Sequence, residues 1–513
     1  MNSPRPTPPH PSSPVATREG TSLFFQERRG SQTPRVLGKT GLLISGLGFG
    51  TYRTSTANAA AREALTLALR LGINLIDTST NYENGSAERL IGQVLEEYFD
   101  SGEISRDQVV VISKVGYAQG DQLDLAQSRK AQGSPFSEMT EFTDDCWHCI
   151  SPDWIETQIT GSLERLKLQA LDGVMLHNPE YFLKAGGSHA EYYDRIFRAF
   201  EHLEKEVDRG RIAFYGVSSN TFPDPCESEA FTSLGTLIEL SQKISESQRH
   251  PSRFSVIQFP MNLFETGACF EKNNTGRTIL ELAQSHHLGT LLNRPLNSFV
   301  GNKLIRIADF PEHRGIDTES ELNQAFEEAL QVEMEYPSHA QERVHPRRSC
   351  WAHILRKNIS VVEDLLHWRQ VLQFQILPQL KRAIAELSEL QEADSPEFAD
   401  WLKRFELREF RLLSAISTWV ESQSQLRSQF IGSQLEAQAP DLSTSKTLSQ
   451  KALRLYLSVP GVDCVLLGMR EEKYVRDGMA ALSGELRIPP EFVYDAFDAV
   501  QEGVSSTPSE HSH

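Results

Sequence analysis

An acid and a phenol stand five residues apart in "LIDTSTNYENG", where an apolar run ending at Leu75 and Ile76 delivers Asp77 and a polar loop delivers Tyr82. A lysine, Lys114, closes "VVVISK", and an imidazole, His177, closes "DGVMLH". Carboxylate, phenol, ammonium and imidazole together make a proton-donating set. A free phenol titrates near ~10 and donates reluctantly at neutral pH. An ammonium about 4 Å away, at an effective dielectric of roughly 20, favours the phenolate by about 4 kcal/mol before desolvation subtracts. At about 1.36 kcal/mol per pH unit, that lowers the phenol by up to about three units, towards working pH. A carboxylate beside the lysine would keep it charged and in place, and a neutral imidazole would orient an incoming oxygen. Such a set protonates a carbonyl oxygen while another reagent attacks its carbon. Each residue alone has a plainer reading, as a turn cap, a snorkelling lysine or a histidine satisfying a loop. Convergence decides.

Convergence depends on the fold. From Arg35 the chain alternates short β-rich runs with helical patterns: a hairpin turning at Lys39–Gly41, then "LGFG", "INLIDT", "QVVVISKVG", "LDGVMLHNP", "RIAFYGVSSN", "FSVIQFP", "LGTLLNRP" and "GVDCVLLGMR". Helical stretches such as "NAAAREALTLALRLG" and "YDRIFRAFEHLEKEVDRG" separate them. Eight such units predict an α/β chain folded as a closed (β/α)8 TIM barrel. In that fold the strand C-termini meet on one rim, bringing Asp77, Tyr82, Lys114 and His177 together. Strands one to seven are expected within 34–309, with the eighth strand and C-terminal helices in 446–503.

Two inserts break the rhythm. One is a large all-helical insert at 310–445, between the seventh and eighth strands, with helices such as "ISVVEDLLHWRQVLQFQILPQLKRAIAELSEL", kinked or broken at Pro378. Its stripe of Phe398, Trp401, Phe405 and Phe410 reads as the core of a helical subdomain. The other, Tyr117 to Ser151, follows the third strand. Both lie in βα connections and are candidate walls or lids for the pocket. Residues 1–33 form a Pro- and Ser-rich leader and 504–513 a tail, both expected to be disordered.

Composition narrows the classes. The 513 residues carry a net charge of −18, with 39% hydrophobic and 23% charged residues, as in a globular chain with a substantial core. No long Lys/Arg run offsets that field, which argues against nucleic acid. No apolar run approaches the roughly 18 residues of a membrane span. Six cysteines in such a length suggest no disulfide framework and a reducing, cytoplasmic compartment. The acid-free leader leaves an organellar transit peptide as the lesser alternative. "CWHC", Cys146–Cys149, lacks a second pair at zinc-ligand spacing, so no metal is assigned and the cysteines read as loop residues.

The motifs "LGFGTY", "GINLIDTSTNY", "ISKVG", "LHNPE", "YGVSSN", "VIQFPMN" and "VPGVDCVLLGMR" resemble the aldo-keto reductases over Arg35–Arg306 and from Leu448 to about Leu482. The resemblance implies Tyr82 as general acid/base, Asp77 and Lys114 as its tuning pair, and His177 as the orienting group. It implies NADP(H) across the barrel mouth, with NAD(H) second, and a small carbonyl or sugar substrate. The implied cofactor contacts are Gly50, Thr51, Ser218, Ser219, Gln258, Asn293, Arg294, Leu296, Gly468, Arg470 and Tyr474, with Asn220 as an alternative assistant and Tyr52 in the substrate pocket. Ser218 and Gln258 would hold the carboxamide, and Arg470 the 2′-phosphate, a bidentate task suited to guanidinium. The chain departs from the family pattern after the seventh strand, where Asn293 and Arg294 replace an aromatic ring. It departs also at Tyr474 and Gly478, and at Ala87 before Glu88.

Two rivals stand beside a reductase: a nicotinamide-binding regulatory subunit that docks partners through the helical insert, and a lyase using Lys114 as a Schiff-base nucleophile. The Tyr and His positions favour the reductase. The sequence leaves substrate identity and oligomeric state open.

Overall fold

A computed structural model describes residues 13–28, 32–300, 303–335, 350–362, 364–389, 395–484 and 488–506. Eight strands close into a parallel barrel: β1 Leu47–Gly50, β2 Leu75–Asp77, β3 Val110–Val115, β4 Leu171–His177, β5 Ile212–Ser218, β6 Phe254–Pro260, β7 Gly289–Asn293 and β8 Cys464–Gly468. These are the eight runs read from the sequence. Strands covered on both faces carry continuous apolar runs, and every residue of β3 and β4 is buried. Leu75, Val110, Ile112, Met175, Phe214, Val256, Leu291 and Leu466 fill the barrel, so its interior is a packed core. The surrounding helices turn one stripe inward. Ala59–Arg70, capped by Asn58 accepting from the Ala61 N–H, buries Ala61, Ala64, Leu65, Ala68 and Leu69. Strand register sets the rim: Gly50 lies opposite Asp77 and Gly468, and Ser218 opposite His177 and Gln258.

The expected disordered leader is corrected in part. Residues 1–12 and 29–31 of it lie outside the described residues, but Arg18–Glu27 is a helix, capped by Thr17, with Phe24 and Phe25 buried. One of its anchors is Asp172, a fully buried residue of β4. Its carboxylate accepts from the Ala16 N–H (2.6 Å), the Val111 N–H (2.6 Å) and Arg106 (2.9 Å). Removing one partner of a buried pair strands the other charge. Asp172→Ala should therefore cost about 3–5 kcal/mol, read as a lower urea midpoint.

The chain divides into two compact units, one holding the barrel up to Leu296 and Gln438–Asp498, the other Asn297–Ala437 with the described residues from Ala499. The second unit thus begins earlier than expected, with an antiparallel hairpin, Asn297–Val300 with Lys303–Arg306. The expected tail is a helical end through Ser506, beyond which 507–513 lie outside the described residues.

Helices of the second unit, Thr318–Met334, Trp351–Asn358, Leu365–Val371, Leu377–Ser388 and the long Pro396–Gln438, share a core. Phe398, Trp401 and Phe405 are buried in it and Phe410 packs against it, as the stripe predicted. The Trp401 indole also donates to the Val332 carbonyl at 2.8 Å. Pro378 neither breaks nor ends the helical path. A wider π-helical turn, Leu372–Ile376, precedes it and relieves the ring's crowding of the carbonyl four residues back. Among the described residues no helix is long and apolar enough to cross a membrane.

This core holds two carboxyls. Glu409, 1% exposed, faces Glu333, which accepts from the N–H groups of Ala352 (2.7 Å) and His353 (3.2 Å). Burial, then the neighbouring carboxyl, raises Glu409 to about 9, and burial raises Glu333 to about 7. A carboxyl raised on folding holds its proton in the folded state after the unfolded chain has lost it. Stability therefore falls as pH rises from the ordinary carboxylate range through about 7 to 9. Glu409→Gln removes the second ionisation and should stabilise this unit by about 1–2 kcal/mol at alkaline pH, with little effect in mild acid. Thermal unfolding across that pH range checks it.

The insert after β3 is a small subdomain: an antiparallel sheet of Tyr117–Ala118, Thr140–Thr143 and Cys146–His148, with the helix Asp121–Ala131. Its core is Ala118, Leu123, Phe136, Trp147, Cys149 and Trp154. Cys146 and Cys149 are buried and burial raises both thiols, Cys149 to about 11, which leaves them protonated.

Candidate active site

Asp77 ends β2, Lys114 lies one residue before the end of β3 and His177 ends β4. Tyr82 follows β2 in a tight turn in which Glu83 (φ 47), Asn84 (φ 53) and Gly85 (φ 76) are successively left-handed. That conformation disfavours ordinary side chains and suits Asn and Gly. Asn84 helps hold it: its side-chain oxygen accepts from the Asp121 N–H (3.0 Å) and its carbonyl from Arg89 (2.8 Å). The turn folds the phenol back over the strand ends.

The four residues meet. Lys114 Nζ donates to Asp77 Oδ2 at 2.7 Å, to the Thr78 carbonyl at 2.9 Å and to the Tyr82 hydroxyl at 3.4 Å. The Tyr82 ring meets His177 edge to face at 6.0 Å and Tyr52 at 5.4 Å. Tyr52 itself is 60% exposed at the mouth. Lys114 is wholly buried and burial pulls it down, but Asp77 and Tyr82 more than restore it, so it stays an ammonium.

Tyr82 departs from the sequence expectation. Burial raises the phenol, and the opposing pull of Lys114 is the smaller effect, so its net shift is upward. At neutral pH it is a protonated donor. Burial, then Lys114 and His148, hold His177 well below its ordinary value, so the imidazole is neutral. It can orient an oxygen without competing as an acid.

Several neighbours were not singled out by the sequence. Ser79 Oγ lies 3.0 Å from His177 Nδ1, 2.6 Å from Asn81 Oδ1 and 3.4 Å from the Lys114 carbonyl, with one proton to share among them. Given to Nδ1, that proton leaves Nε2 protonated and able to donate to a carbonyl oxygen. Given to Asn81, it leaves Nε2 able to accept from an alcohol. Tyr117 packs edge to face on His177 at 4.7 Å, and its hydroxyl accepts from Asn178 at 2.8 Å. Their signal was available in position alone: Ser79 lies two residues past a strand end, and Tyr117 three past Lys114.

The residues expected around a cofactor fall in two groups. Ser218 donates to Gln258 Oε1 (2.9 Å), and Gln258 Nε2 donates to Asp77 Oδ1 (2.8 Å), so this pair joins the acid directly. Asn293 Nδ2 reaches Gln258 Oε1 at 3.5 Å, while its buried Oδ1 has no hydrogen-bond partner among the described residues. Thr51 donates to the Asp77 carbonyl through both its N–H (3.1 Å) and its hydroxyl (2.9 Å). Gly50 and Gly468 face each other on the rim, and a Cβ at Gly468 would meet open space. Others are placed apart. The Ser219 hydroxyl turns to Thr221 (3.1 Å) and Thr232 (3.2 Å), and Asn220 donates its N–H to Glu180 (2.9 Å). Arg294, itself left-handed (φ 53), pairs with Glu265 at 2.8 Å. Leu296 and Tyr474 are half-buried, and Tyr474 stands beneath Lys473 at 4.9 Å. Arg470, half-buried two residues beyond β8, makes no ion pair or hydrogen bond among the described residues.

The chain has relatives among known proteins. The family model described as Aldo/keto reductase family matches residues 46–336, more than half of the chain. The uncharacterized oxidoreductase YqkF of Bacillus subtilis is 28% identical over 186 residues, 36% of this chain and 48% of that protein. The NADH-specific methylglyoxal reductase of Escherichia coli is 30% identical over 149 residues, 28% of this chain and 40% of that one. The chain thus spans less than half the length of each of these relatives. Among solved structures, an aldo-keto reductase from Bacillus halodurans is 16% identical with a TM-score of 0.46, covering 91% of this chain and 96% of its own.

Proposed function

The chain belongs to the aldo/keto reductase family, and from that premise we propose that it transfers hydride between NADP(H) and the carbonyl or alcohol of an aldehyde, ketone or sugar. The observation that carries this reading is Lys114, buried between Asp77 at 2.7 Å and the Tyr82 hydroxyl at 3.4 Å, with the His177 ring 6.0 Å from the phenol ring. An acid beside a neutral imidazole is what a carbonyl oxygen needs if it is to gain a proton as its carbon is attacked.

The residues present fit a nicotinamide cofactor. Asn293 Oδ1, buried beside Gln258 without a partner among the described residues, can accept from a carboxamide NH2 group. A Cβ at Gly468 would meet nothing within 4 Å among the described residues, so the rim there can be approached closely by a phosphate. Arg470 offers a guanidinium to a 2′-phosphate. The cofactor, when bound, supplies the hydride. Everything else falls to the protein. His177 orients the substrate oxygen, Tyr82 gives it a proton from its hydroxyl, and Lys114 compensates the phenolate left behind. Asp77, held by Lys114 and Gln258, keeps the ammonium in place. In the oxidative direction Tyr82 takes the alcohol's proton instead.

The test is a screen of aldehydes, ketones and sugars with purified protein and each cofactor, followed by nicotinamide absorbance and by cofactor titration. Turnover of at least one carbonyl with NADPH supports the reading. NADPH binding with no turnover in either direction would overturn it in favour of a regulatory role.

A further inference from the structure

The histidine inside "CWHC" has no part in the proton-transfer set, yet it touches that set. His148 is 2% exposed at the end of the strand Cys146–His148, and its Nε2 lies 2.7 Å from the backbone carbonyl of His177. A carbonyl only accepts, so the proton is on Nε2 and His148 is the donor. Burial holds this imidazole down to about 4, which keeps it neutral across the working pH range, and the carbonyl selects the Nε2–H tautomer.

The contact is built from both sides. Tyr117 pairs with His148 across the small sheet, and the Cys149 N–H donates to the Gly116 carbonyl at 2.9 Å. A Cβ at Gly116 would stand 2.7 Å from His148 Nε2, so this glycine leaves the room the imidazole needs. The ring stacks on Tyr181 at 5.7 Å. Beyond the carbonyl it holds, Asn178 is left-handed (φ 48), and its side chain donates to the Tyr117 hydroxyl at 2.8 Å. The chain reverses direction just after His177, and the insert grips both residues of that corner.

We propose that His148 is a positioning residue, which through its Nε2–H···O=C bond to His177 anchors the C-terminal end of β4 and so sets the His177 imidazole against Tyr82. The insert after β3 then does more than wall the pocket: it carries the clamp for the orienting histidine. Its catalytic consequence rests on the carbonyl-reductase reading of the site, but the clamp itself does not.

Two readouts separate them. Diethyl pyrocarbonate acylates accessible neutral imidazoles, and peptide mass mapping reports His177 apart from the other histidines without any turnover. In His148→Leu, His177 should acylate several times faster than in wild type. The kcat for carbonyl reduction should fall about 10- to 100-fold, as expected when a reacting group is displaced by about an ångström. NADPH affinity should stay within about twofold, since His148 touches none of the residues that would hold the cofactor. His148→Gln, which keeps an N–H donor, should recover most of both. If wild type reduces no carbonyl but the acylation pattern holds, the clamp stands and the proposed function falls. Unchanged His177 reactivity in His148→Leu overturns the clamp. So does faster acylation with unchanged kcat, which would make His148 a packing residue only. A variant too unstable to assay is replaced by His148→Gln and His148→Asn, where loss of rescue in both also overturns it.

Discussion

Tyr82→Phe should lower kcat/KM for carbonyl reduction by about 10²- to 10⁴-fold while leaving NADPH affinity within about twofold. The ring that packs against Tyr52 at 5.4 Å and His177 at 6.0 Å remains, so what is lost is one hydroxyl. Lys114 keeps its bond to Asp77 at 2.7 Å and its charge, and the pocket keeps its shape. Single-turnover measurements with saturating cofactor isolate the chemical step, and unchanged reduction would remove Tyr82 from the mechanism. The pH dependence carries a second sign. The phenol is raised by burial, so its acid form persists through neutrality and is lost only as pH climbs towards the raised value. Reduction should therefore hold level across neutral pH and decline in alkali. Oxidation of an alcohol needs the phenolate and should rise with pH over the same range. A phenol lowered towards neutrality, as charge alone would have it, predicts reduction declining through neutral pH instead.

That reversal shows where the sequence runs out. The alternation of apolar runs and helical stripes made eight strands legible, and position at strand ends was enough to bring Asp77, Lys114 and His177 to one rim. An ammonium beside a phenol is legible too, because it needs only adjacency. How much water the fold removes from the phenol depends on residues scattered along the chain, and that is the larger effect here. Non-local partners hid other features in the same way. Phe24 and Phe25 sit in a Pro- and Ser-rich leader that composition reads as unstructured, and what ties that segment down lies far away in sequence: Asp172 on β4, the Asp107 carbonyl and the Leu69 carbonyl. Glu333 and Glu409 look like surface acids on two amphipathic helices until those helices pack. "CWHC" drew attention as a thiol pattern, whereas the residue with a definite hydrogen-bond partner at the site is the histidine between the cysteines. Aromatic residues at helical spacing were read correctly as core, since helix geometry alone determines which of them share a face.

Arg470→Ala should weaken NADPH binding by about 1.5–3 kcal/mol, roughly 10- to 150-fold, and hardly move NADH. Two observations support the site. Arg470 lies two residues past β8, whose last residue Gly468 pairs with Gly50 and leaves the rim open. Among the described residues its guanidinium is bound to no carboxylate of the protein, whereas Arg294, just past the neighbouring strand β7, is paired with Glu265 at 2.8 Å. Of the two, Arg470 is the cation available to an anion. The expected loss is that of a charge-assisted, bidentate contact, and Arg470→Lys should recover only part of it, because an ammonium lacks the planar fork. Salt should weaken NADPH binding to wild type more than NADH binding, and the difference should shrink in Arg470→Ala, since the screened interaction is gone. Cofactor titration by fluorescence measures all three proteins without substrate. Equal losses for NADPH and NADH would instead assign Arg470 to the pyrophosphate or to fold stability, and thermal unfolding of Arg470→Ala would separate those two.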